Sequence, residues 1–382
     1  MKHFETKKSI VFLCCFLLIS PLVFAQIDLQ PVAIVRLSRT ENITVRQFRE
    51  YAQWLTMNKA MATQNPNAVL TANERRQALE ELGNQFLANQ AAEQERITVS
   101  DRDISQHFDQ TIRNFSAGFA QVLGRAPTDA EIDTELRNRT GMNRTSFREL
   151  MRRTLITENY LQTKKRHLFE AIRPPTEAEI RTIYNEHRNR SIFENGFSRP
   201  DAVRVRMLVI PIRNPAERAA AQTTANNLSR QIGGDPGRFD EAARDFMRPN
   251  SGYVSADGFI YNHDVIRQAM GAPFVTAVFA LRHGQVSSVL ERPDGFYIVR
   301  VMETHRARVL DLNDIYDLQD TGGVDAQGRR HPPVTVQQAI IRAEMQRRLA
   351  TTLQQASEEL VTELRRRGSV EIRDTVYNQI VW

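Results

Sequence analysis

Between Val203 and Val301 the hydrophobic period changes several times within about 100 residues, and that order of periods leaves few folds open. Val203–Pro211 alternates in twos, as a half-buried strand does. A helical run follows from Pro215 to about Ile232, then turn residues from Gly233 to Gly237. A shorter run, Phe239–Phe246, precedes a loop containing glycine and serine. Pro273–Leu281 reads as a further helix, Gly284–Leu290 as a strand, and a turn at Pro293-Asp294-Gly295 leads into a closing strand, Phe296–Val301. Strand, helices, strand, turn and strand in this order predict one compact α/β domain over residues 203–305.

The spacing of Phe274, Ala277, Phe279-Ala280-Leu281 and Gly284-Gln285-Val286-Ser287, followed by Asp294-Gly295 and Phe296–Val299, resembles the parvulin family of peptidyl-prolyl isomerases. Isomerising an X-Pro bond means rotating about a partial double bond, over a barrier of roughly 20 kcal/mol. A site helps by seating the proline ring on an apolar floor and stabilising the twisted amide with hydrogen bonds. The resemblance implies that Met270 and Phe274 form that floor, with Phe279 behind them as core. It also implies a histidine on the first strand and another on the last, where this chain has Met207 and Tyr297. The expected acid or thiol falls near Arg248-Pro249, and a glycine-aspartate-leucine-glycine word is blurred into Ala256-Asp257-Gly258-Phe259. Met270, Phe274, Met207, Tyr297 and Phe259 are therefore the candidate lining of a proline pocket. No catalytic residue is assigned. Methionine cannot donate a hydrogen bond whereas tyrosine can, so the polar half of the site departs from the family.

Ahead of this domain the chain is helical. Ile27–Leu37 alternates weakly, as a short strand would, and Thr44 caps a helix carrying Phe48, Tyr51, Ala52 and Leu55 on one face. Thr71 with Glu74 reads as a capping box opening a helix from Glu74 to Arg96. Ser100 with Asp103 opens another, and further runs cover Ala130–Arg137 and Ser146–Phe169. The words Arg76–Ala92 and Ile97–Asp101, in this order before a parvulin-like domain, resemble the amino-terminal chaperone domain of SurA-type proteins. Pro174-Pro175-Thr176 with Glu179 stops one helix and caps a lead-in helix within residues 173–202. After a polar loop within residues 306–335, Val336 begins a long helix with one apolar stripe: Ile341, Met345, Leu349, Leu353, Ala356, Leu360 and Leu364. Gly368 ends it, and Val370–Arg373 and Val376–Trp382 alternate like a terminal strand. The SurA resemblance implies that residues 336–382 pack back onto the helices of residues 26–172. The expected fold class is thus α+β and multidomain: a helical SurA-like chaperone domain, completed by the carboxy-terminal helix, with a compact α/β parvulin-like domain inserted.

The first 25 residues supply an address. Lys2, Lys7 and Lys8 precede an apolar run from Ile10 to Phe24, and Val23-Phe24-Ala25 fits cleavage before Gln26. An uncleaved anchor is the alternative. Cys14 and Cys15, the chain's two cysteines, lie inside this run, so the mature chain would have no disulfide, thiol catalysis or cysteine metal site. A net charge of +6 falls to +4 without these residues, and the arginines alternate with acids along helices, which argues against a nucleic-acid partner. The histidines show no metal spacing, no nucleophile elbow is present, and no glycine-rich ATP-binding word occurs. The expectation is an exported periplasmic chaperone without cofactor or ATP. By resemblance its clients are unfolded outer-membrane proteins. An active prolyl isomerase and a non-catalytic envelope scaffold are the alternatives.

Overall fold

The computed structural model describes residues 27–63, 65, 67–245, 253–254, 257–318 and 332–382. The expected signal segment and the Arg248-Pro249 and Ala256 positions lie outside these residues. The first strand, β1 (Pro31–Arg36), buries Val32, Ala33, Ile34 and Val35 in succession, which requires partners on both edges and cover on both faces. The partner unseen in the sequence is β2 (Thr40–Thr44), antiparallel to β1. Helix α1 (Val45–Thr63) then starts on a reciprocal cap: Thr44 Oγ1 accepts from Gln47 N at 3.2 Å while Thr44 N donates to Gln47 Oε1 at 2.9 Å. Phe48, Tyr51 and Ala52 are its buried stripe. Helix α2 (Ala72–Gln94) opens on the Thr71–Glu74 capping box and buries Leu79, Leu82, Phe86 and Leu87. Helices α3 (Asp101–Leu123), α4 (Asp129–Thr140), α5 (Arg144–Lys164) and α6 (Arg166–Glu170) follow, with Ser100, Thr128 and Asn143 capping the first three.

The chain divides into two compact units, one of residues up to Ile172 together with Leu349–Trp382, the other Arg173–Arg348. The second unit begins with α7 (Glu177–His187), capped by Thr176 and Glu179. A short strand, β3 (Ser198–Arg199), leads into β4 (Ala202–Pro211). Helices α8 (Arg218–Ile232) and α9 (Pro236–Asp245) come next, then the short strands β5 (Tyr253–Val254) and β6 (Gly258–Tyr261). Helices α10 (Asp264–Met270) and α11 (Ala272–Phe279) precede β7 (Leu290–Arg292), β8 (Gly295–His305) and β9 (Arg308–Val309). The sheet runs β5-β4-β8-β7, with β6 also paired to β4, and β3 pairs separately with β9. β4 and β8 are antiparallel over their lengths, so alternate side chains meet opposite cores. Leu208, Ile210, Phe296 and Ile298 pack against Ala225, Ile232 and Phe239 of α8 and α9. Val203, Val205, Val209, Tyr297, Val299 and Val301 pack against Phe274, Val275 and Val278 of α11.

The carboxy-terminal helix α12 (Val336–Arg367) belongs to both units. The sequence assigns all of residues 336–382 to the amino-terminal helices. The structure instead puts Val336 and Ile340 in a core with Ile180, Phe197 and Leu310, whereas Ala356, Leu360 and Leu364 complete the core of the first unit. Strand β10 (Ser369–Ile372) takes the free edge of β1, and a Cβ on Gly83 of α2 would lie 2.5 Å from Val370 Cγ1, so only glycine permits this approach. The expected strand at Val376–Trp382 does not form. A short helix α13 (Asp374–Tyr377) stands there, because both edges of β1 are already paired. The segment's aromatic rings turn instead onto Phe48, with centroids at 5.9 Å for Tyr377 and 5.2 Å for Trp382. Among the described residues no helix is long and apolar enough to cross a membrane.

Candidate functional site

The face of the β4–β8 sheet turned toward α10 and α11 brings four of the five sequence candidates together. Register fixes two of them. Met207 lies opposite Val299 and Tyr297 opposite Val209, and all four positions share one face. The other two come from the helix pair. Gly271, at φ +89°, is the single residue joining α10 to α11, a conformation side chains other than glycine rarely adopt. That turn leaves Met270 at the end of one helix and Phe274 in the first turn of the next. Phe274 and Tyr297 are buried at 3% and 5% exposure, while Met207 and Met270 are half-buried beside them. The two rings meet edge to face, centroids 5.3 Å apart at 70°.

Among the described residues, the polar groups on this face bond to one another. Tyr297 Oη donates to Asp294 Oδ2 at 2.9 Å. The Arg292 guanidinium lies 5.4 Å from the Phe274 ring centre and 5.2 Å from that of Tyr297, and its Nε approaches Asp294 at 3.3 Å. Arg292 and Asp294 were not among the sequence candidates. The Pro293-Asp294-Gly295 turn was the available signal, since a tight hairpin returns its flanks to the strand that follows. Ser287, within the family word, holds backbone together. Its Oγ accepts from Val299 N at 2.9 Å and its N donates to Val299 O at 2.8 Å. These two bonds pin the segment before β7 onto β8.

Phe259 is not part of this face. β6 pairs with β4 so that Phe259 lies opposite Arg204 and Ile260 opposite Val203, which sends Phe259 to the other side of the sheet. Its ring meets His305 there at 5.4 Å. The proline-pocket assignment of Phe259 is corrected accordingly: a one-residue shift along a strand exchanges faces. The face that remains groups the Phe274 and Tyr297 rings with two adaptable methionines. For a twisted amide it has less to offer, because Met207 has no donor and the Tyr297 hydroxyl proton is directed at Asp294.

Residues 175–317 match the family model of the PPIC-type PPIase domain. No curated protein matches the chain by sequence. Among solved structures the chain is similar to one described with PEB4 and the periplasmic protein Cj1289 as SurA-like chaperones of Campylobacter jejuni. Identity is 10%, the match covers 89% of this chain and 98% of that chain, and the TM-score is 0.30. PrsA from Bacillus subtilis is 13% identical, with 78% and 90% covered and a TM-score of 0.25. The foldase protein PrsA from Streptococcus pneumoniae is 12% identical, with 85% and 90% covered and a TM-score of 0.27. At these scores the likenesses carry no functional argument. The family match does identify the module: the chain contains a PPIC-type peptidyl-prolyl isomerase domain over residues 175–317.

Proposed function

We propose that the protein is an exported chaperone that holds unfolded polypeptides, outer-membrane proteins in transit among them, and whose PPIC-type domain binds proline-containing segments with little or no isomerase activity. The observation that carries this reading is the state of the polar side of the site. At the two positions where the family resemblance implies histidines, one side chain is a methionine and the other a tyrosine bonded to Asp294 beneath Arg292. Met270 and Phe274 share one apolar cluster, which supports binding of a proline ring. Among the described residues neither Met207 nor the Asp294-bonded Tyr297 hydroxyl is a ready donor to speed its rotation. The resemblance of the amino-terminal helices to SurA-type chaperone domains supports the holding role and the export address.

The test pairs two assays on the mature chain: isomerisation of a short proline peptide, and aggregation of an unfolded outer-membrane protein. Suppressed aggregation with an uncatalysed isomerisation rate is expected. A rate enhancement that disappears in Phe274→Ala would make the protein an active isomerase and overturn the reading of its site. Neither activity would leave the scaffold alternative.

A further inference from the structure

The first unit carries an apolar groove whose charged side chains are all arginines, outside the PPIC-type domain. One wall is α1, where Gln53, Thr56, Met57, Ala60 and Met61 recur at helical spacing beside the buried Ala52. Two depressions of about 300 and 550 Å³ share Gln53 and Thr56, so they adjoin along α1. Val69, Leu70, Val381 and Trp382 form the facing wall at one end. Met61, Val69, Val381 and Trp382 are 58, 69, 69 and 50% exposed, an unusual concentration of apolar surface. Small residues at 52, 56 and 60 give the groove depth, and methionines give it adaptable walls. From Arg49 to Met61 the wall is about 18 Å long, room for roughly five residues of extended chain.

Charge selects among possible occupants. Among the described residues Arg49, Arg75 and Arg139 line the groove and no carboxylate side chain does. Arg49 is bonded to Asp28 and Arg139 to Glu135. Arg75 makes no ion pair among the described residues. Its guanidinium stands 4.8 Å over the Trp382 ring, Nη1 donates to Leu70 O at 2.8 Å, and its buried Nε has no hydrogen-bond partner. A cation held over an aromatic ring at the head of an apolar groove, with donor capacity left over, matches a carboxylate on an otherwise apolar chain.

We propose that this groove is the client-holding site of the first unit, and that it takes an extended apolar segment carrying an acidic residue, whose carboxylate meets Arg75. The proposal rests on the chaperone reading above and names the site and the segment. Labelled peptides of alternating valine and threonine with a central aspartate, asparagine or lysine test it by anisotropy. The full mature chain is titrated beside its Met61→Glu, Arg75→Gln and Arg75→Lys variants, and aggregation of the unfolded client is followed in parallel. The aspartate peptide should bind about tenfold tighter than the asparagine one. Arg75→Gln should erase that preference and Arg75→Lys restore most of it. Met61→Glu, at an exposed position, should weaken all three peptides and client protection together. Equal binding of the aspartate and asparagine peptides, or an indifferent Met61→Glu, overturns the proposal. Client protection surviving in a Met61→Glu chain that has lost the peptides also overturns it and leaves the chaperone reading standing. Peptide binding without any client protection by the unaltered chain sinks the chaperone reading instead. Self-association abolished by Met61→Glu would assign the groove to a second copy.

Discussion

Tyr297 and Phe274 show how a few bonds decide what an apolar face can do. Phe274 is 3% exposed, packs edge-on against Tyr297 and carries Arg292 on its ring, so Phe274→Ala should cost about 3–5 kcal/mol in urea unfolding. The Tyr297 hydroxyl is different in kind. It makes a hydrogen bond to Asp294 near the protein surface, and Tyr297→Phe, which keeps the ring, should cost only about 1 kcal/mol. A loss for Tyr297→Phe as large as that for Phe274→Ala would mean that the hydroxyl, not the ring, holds the cluster together. The residue types at this site were readable from the chain, because the family word places Met270, Phe274 and Tyr297 by spacing. What surrounds them was not. Arg292 reaches the rings only after the hairpin closes, and the face taken by Phe259 depends on a register that no local pattern near Ala256 could set.

At the scale of elements, the helix starts were the most legible part of the chain, since a cap is satisfied within four residues. Thr44, Thr71, Ser100 and Thr176 all cap helices as their spacing predicts. Strand β2 was hidden because Ile43 is its one buried residue, and the strand at Val376–Trp382 was wrongly expected because alternation says nothing about whether an edge is vacant. The caps also carry a pH dependence. The Lys59 ammonium, followed by the backbone and hydroxyl of Thr71, lowers the Glu74 carboxyl from 4.5 to about 2. Arg125, followed by Thr128, does the same for Glu131. A folded value below the unfolded one means that the stabilisation is complete above about pH 4.5 and is lost as pH falls toward 2. The first unit should therefore weaken across that window, and Glu74→Gln combined with Glu131→Gln should flatten the decline in its thermal midpoint. An unchanged slope in the double variant would place the acid sensitivity elsewhere.

For the whole molecule, the telling fact is that α12 is one helix serving two cores. Its first turns bury Val336 and Ile340 with Ile180 and Leu310, and its last turns bury Ala356, Leu360 and Leu364 at 0, 4 and 2% exposure in the first unit. Lys165, at 5% exposure, depends on this second half for both its ion-pair partners, Glu363 at 2.6 Å and Glu359 at 3.2 Å. Ending the chain at Arg348 would strip those three apolar side chains from the first unit, leave Lys165 with neither carboxylate, and remove β10 from the edge of β1. The apolar and strand losses are of a kind that costs several kcal/mol each, together about the whole stability of a domain. The ion pairs, whose carboxylates are half-exposed, add little. The residues of the second unit, Arg173–Arg348, would all remain. Truncation should therefore abolish the melting transition of the first unit while the second keeps its own. Limited proteolysis should then leave a resistant fragment starting near Arg173. Two transitions at unchanged temperatures would show that the amino-terminal helices fold without their carboxy-terminal partner. The insertion of the PPIC-type domain between them would then place no constraint on folding.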